Sequence, residues 1–147
     1  MRASTCFFGA LLFISAMIIS ATSWAQHDHH GPGHKPLLDL MRTLGDDLNQ
    51  LNNAMFKDDV KAASEAAGRI ADHPQVTPEE MKKISKALGA EMAKFKQWDI
   101  KVHEAAARAS TAKNVEEIAK LQGEIVIGCV SCHAQFRARV RDIIKSK

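Results

Sequence analysis

Between Leu37 and Ile143 apolar side chains return every three or four positions, and no stretch alternates with period two over a strand's length. This periodicity constrains the fold more than any other feature, because it makes helices, not strands, the units with a face to bury. Helix A starts near Pro36, which suits a first turn. Leu37, Met41, Leu44, Leu48, Leu51 and Met55 form one stripe along it. Asp58 is placed to cap helix B, with Val60, Ala63, Ala67 and Ile70 on one side and His73-Pro74 as its break. Thr77-Pro78-Glu79-Glu80 has the form of a capping box and opens helix C, whose stripe is Met81, Ile84, Leu88, Met92, Phe95, Trp98 and Val102. Asn114 with Glu117 caps helix D, which carries Val115, Ile118, Leu121, Ile125, Cys129, Cys132, Phe136, Val140 and Ile143. Four amphipathic helices with short connections predict an all-α fold without a sheet. The expected form is one antiparallel up-down-up-down four-helix bundle over residues 36–147.

The first 25 residues follow a different rule. Arg2 precedes an apolar run from Cys6 to Ser20, and Ser23-Trp24-Ala25 ends it with small residues at the positions a signal peptidase reads. The alternative is an uncleaved anchor, for which the run is short. Cleavage before Gln26 sends the chain to the periplasm with no stable membrane insertion. Cys6 leaves with the signal, so Cys129 and Cys132 remain, in a compartment where free thiols need an explanation. The formal charge of +3 loses Arg2 as well and is too small and dispersed to point to nucleic acid. With 25% charged and 46% hydrophobic residues, the chain is neither disordered nor a multi-span membrane protein. Residues 26–35 (QHDHHGPGHK) are polar and aperiodic, a flexible His-rich tail. Its His27, His29, His30 and His34 either stay solvated or bind a transition metal.

The chemistry concentrates in Cys129-Val130-Ser131-Cys132-His133. Cys-x-x-Cys-His is the pattern of covalent haem attachment: two thiols form thioethers to the two vinyl groups, and the adjacent histidine supplies an axial nitrogen. A thioredoxin-like reading expects a βαβ context, and a zinc site expects four ligands where there is no second cysteine pair. Export and helical patterning favour one haem c per chain, anchored by Cys129 and Cys132 with His133 on the iron. A haem also answers the shortage of rings, for only 5% of residues are aromatic and none is tyrosine. A large, flat, mostly apolar body would fill that core. An open sixth position binds small gases, whereas a filled one favours electron transfer. His73 and His103 read as partly exposed surface histidines, and Met55, Met81 and Met92 as core filler. Met41 lies on the expected inward face near the start of helix A, at the end of the bundle that holds the later part of D, and can face His133.

A haem motif near the C-terminus of an exported four-helix chain resembles the class II cytochromes c, the cytochrome c-prime group. His133-Ala134-Gln135-Phe136-Arg137 is similar to the aromatic-plus-basic continuation of that group. Leu40-Met41-Arg42-Thr43-Leu44-Gly45 resembles helix A of its low-spin members, in which methionine is the sixth ligand. The resemblance covers most of residues 36–147; the His-rich tail is not part of it. It implies Met41 as distal ligand and Arg137 near the haem edge, offsetting propionate charge. The expectation is a periplasmic single-electron carrier that docks weakly on other redox proteins, as a monomer or homodimer. It is not an enzyme, since no distal His/Arg pair of a peroxidase can be identified. The alternative is a five-coordinate cytochrome c-prime binding nitric oxide or carbon monoxide.

Overall fold

The computed structural model describes residues 31–146. The signal-like segment and His27, His29 and His30 lie outside the described residues. Helix dominates: α1 (Leu37–Phe56), α2 (Val60–Ala71), α3 (Pro78–Leu88), α4 (Met92–Thr111) and α5 (Val115–Lys145). α4 packs along α5, while α2 packs against both α1 and α4.

The expected helix ends hold, with informative departures. Thr77 Oγ1 accepts from Glu80 N at 3.4 Å, and Asn114 Oδ1 accepts from Glu117 N at 2.8 Å. Glu80 does not complete a capping box. Its carboxylate accepts from Leu37 N at 2.7 Å, which satisfies an orphan amide of α1 and ties the two helices together. α2 is capped by Asp59 rather than Asp58, whose positive φ of 56° places it in the turn before the cap. Helix C is broken into α3 and α4 by a 3-10 turn at Gly89–Glu91. Gly89 there takes φ 52°, ψ −122°, a conformation closed to residues with a Cβ. The stripe survives the break, because Ile84, Leu88 and Val102 are buried and Met92, Phe95 and Trp98 pack beside them.

Two expectations are corrected. Residues 31–35 do not belong to a flexible tail, and the chain does have a sheet. Gly31–Lys35 (β1) pairs in parallel with Pro74–Val76 (β2), and Gly31 N donates to the His73 carbonyl at 3.0 Å. The pairing is backbone-driven between distant segments, so it leaves no periodicity to read. The second correction concerns α1, whose buried line is Leu37, Leu40, Asp47, Leu51 and Ala54, with Leu44 and Leu48 half-buried. Met41 is 39% exposed and Leu40 1%. The buried face departs from the expected one at Met41, and on it Asp47 turns inward to accept from Arg69 Nε of α2 at 2.6 Å.

The core falls into two clusters. One is rich in alanine, with Ala63, Ala67, Ala106 and Ala109 fully buried, so α1, α2, α4 and α5 approach closely. The other joins Leu37, Ile84, Leu88, Phe136 and Val140. Between them α5 presses on α4 at Gly128, where a Cβ would lie 2.7 Å from Val102 Cγ2. Gly128→Val should therefore cost about 1–3 kcal/mol by overpacking. An unchanged denaturation midpoint would remove Gly128 as the point of closest approach.

Candidate functional site around Cys129, Cys132 and His133

Cys129 and Cys132 follow Gly128 on α5 and sit one turn apart, so they share a face. Cys129 packs against the alanine-rich cluster and Cys132 against the aromatic one, so the pair straddles the boundary between them. Neither is in a disulfide. Burial pushes both thiols up, with the Asp99 carboxylate of α4 adding to it, and Cys132 reaches about 11. Both are therefore neutral thiols near neutral pH.

His133 is exposed at the edge of this face. Partial burial and the Arg137 guanidinium one turn on hold its imidazole below the usual histidine range, leaving it neutral with a lone pair to give. Ile127 and Val130, 64% and 60% exposed, form an apolar fringe on the same helix. Leu37 packs with Phe136 and Val140, so the start of α1 and the later part of α5 do share one end of the molecule. Met41 belongs to that end of α1, but its thioether lies on the open side and does not fill the core. Met55 and Met92, by contrast, pack against the two clusters as expected. Trp98 sits in the aromatic cluster with Cys132. Its buried Nε1–H meets no acceptor among the described residues.

His73 and His103 are not surface histidines. They are 6% and 8% exposed, with ring centroids 4.4 Å apart, and Asp99 lies against both. His73 Nε2 is 3.7 Å from Asp99 Oδ1, and His103 Nε2 is 3.9 Å from Oδ2. Burial alone would lower the His73 pKa, but Asp99 and the Pro74 carbonyl together outweigh it and the net shift is upward. The signal for two of the three was in the sequence: Asp99 and His103 are four apart on one helix face. His73 comes from the α2–β2 junction, which helical periodicity cannot place. The same Asp99 charge adds to the upward shift of Cys129 and Cys132 from α4, the helix packed along α5.

Compared with family models, curated proteins and solved structures, the chain shows no match in any of the three.

Proposed function

We propose that this chain is an exported c-type cytochrome of the class II kind, an antiparallel four-helix bundle that carries single electrons through one haem c. The observation that carries the reading is the pair of free, half-buried thiols one turn apart, at the seam of two apolar clusters, with His133 beside them. A haem needs thiols on one helix face, a neutral axial nitrogen, apolar walls and donors for its two carboxylates. Cys129 and Cys132, His133, and the flanking clusters meet the first three needs. The indole N–H of Trp98 and the guanidinium of Arg137 suit the fourth.

When bound, the group supplies a one-electron couple between ferric and ferrous iron. The chain's residues do the rest. Cys129 and Cys132 would hold the macrocycle to α5, and His133 would give its lone pair to the iron. Met41 would offer its thioether as the other iron ligand. Thioether ligation favours the ferrous state and raises the potential relative to two nitrogen ligands. The exposed Ile127 and Val130 offer a small apolar surface near the attachment site, suited to brief docking on other redox proteins.

The five-coordinate reading has one specific observation on its side, the exposure of Met41. A methionine that stays outside leaves the sixth position to nitric oxide or carbon monoxide. Exposure also argues against Met41 as packing, since a side chain 39% open to solvent does not fill a core. Its thioether is left available for a ligand's work.

Expression with export and haem-attachment machinery tests the proposal. The intact mass of the purified protein should correspond to a chain beginning at Gln26 plus one haem that survives denaturation. A mass without added haem would overturn it.

A further inference from the structure

We propose that His73, Asp99 and His103 form a metal centre of their own, which takes one divalent ion of the zinc class and does not depend on the haem. One donor atom from each of the three lies within 4.8 Å of the others. Tetrahedral zinc with bonds of about 2.0–2.1 Å separates its donors by roughly 3.3 Å. The observed 3.7 Å and 3.9 Å run to the two oxygens of Asp99, and with one donor atom from each residue the set, within 4.8 Å, contracts toward that spacing on binding.

Orientation supports the same ion. His73 Nδ1 is 2.8 Å from the Pro74 carbonyl, which can only accept, so Nδ1 carries the hydrogen. The ring is thereby fixed with Nε2 turned to Asp99. An outer hydrogen bond on the second ring nitrogen is the usual way a ligating histidine is aimed. The carboxylate that faces Nε2 across 3.7 Å favours a positive charge there, which a bound cation or the proton of an imidazolium supplies. Two imidazoles and one carboxylate leave a site of net −1, matched to a 2+ ion, and their mixed nitrogen and oxygen donors suit zinc.

The donors are held by separate, rigid pieces. Asp99 and His103 are one turn apart on α4, and His73 is pinned through its backbone by Gly31 of β1. A surface cleft of about 590 Å³, lined by His73, Pro74, Asp72 and Arg69 among others, reaches the His73 side from solvent. Asp99 is half-exposed, so a fourth position is open to water, and the ion can exchange. His34 in β1 is the only histidine of the His-rich tract among the described residues, and it is exposed; the centre does not draw on it.

The test uses full-length haem-loaded protein, stripped with a chelator and titrated with Zn2+ against a chromophoric competitor while the haem spectrum is recorded. One Zn2+ per chain should bind tightly and remain when residues 26–30 are deleted. Loss of an outer partner alone costs a metal site about 10–100-fold, so Asp99→Asn and His103→Gln should weaken binding by more than about 100-fold, with the haem still covalently attached. Three results would overturn the proposal. Deleting 26–30 could abolish binding, which would place the ion on the tail. Asp99→Asn could bind Zn2+ like the parent, leaving only a proton between His73 and Asp99. His103→Gln or His73→Gln could shift the haem spectrum, which would assign that histidine to iron. Zinc stoichiometry and haem content are read separately, so failure of one does not obscure the other.

Discussion

Replacing Cys129 and Cys132 together by serine should yield a protein from which acidified organic solvent extracts all of the haem. The parent should release none. Each single serine variant retains one thioether and should also keep its haem through extraction, with an altered optical spectrum. The graded outcome follows from both sulfurs lying on one face of α5, where each can bond independently to the same macrocycle. Serine matches the shape of cysteine but forms no thioether. The flanking clusters still offer apolar walls, so the double variant should bind haem reversibly. Extractable haem in the parent would contradict covalent attachment.

The second large effect contrasts two neighbours on α1. Met41→Ala should turn low-spin ferric iron high-spin and create carbon monoxide binding that the parent lacks. Its stability should fall by less than about 1 kcal/mol, since a side chain 39% exposed loses little buried surface. Leu40→Ala should do the reverse. Leu40 is 1% exposed, and truncating a buried leucine costs about 2–5 kcal/mol, with the axial ligands left in place. Denaturant melts and optical spectra of both variants check the pair. A Met41→Ala protein with the parent's low-spin spectrum would hand the sixth position to another residue.

Much of the helical layout could be read from the chain because caps and stripes are local. Thr77 and Asn114 cap where their positions in the chain place them, and the buried line on α5 follows Ile118, Leu121, Ile125, Phe136 and Val140. Helix C carried its own warning in Gly89, which the continuing stripe on either side of it, Leu88 and Met92, hid. What was not readable depends on partners far along the chain. Asp47 looks like a solvent residue until Arg69, on the next helix, pairs with it, and the burial of Leu40 in place of Met41 likewise depends on the packing of other helices. β1 and β2 find each other through backbone groups alone. His103 sits one position off its helical stripe and looked exposed; only His73, from a distant junction, and Asp99 make sense of its burial.

The candidate site divides the same way. The Cys129–His133 motif is contiguous and its half-buried placement follows from the α5 stripe. The neighbouring Asp99, which raises both thiols, belongs to another helix and has no signature in the motif.

The most direct measurement is the optical and electron paramagnetic resonance spectrum of the purified ferric protein near neutral pH. Histidine and methionine ligation by His133 and Met41 predicts a low-spin spectrum with no change on adding carbon monoxide to the reduced form. A high-spin ferric spectrum would contradict it and leave the iron five-coordinate.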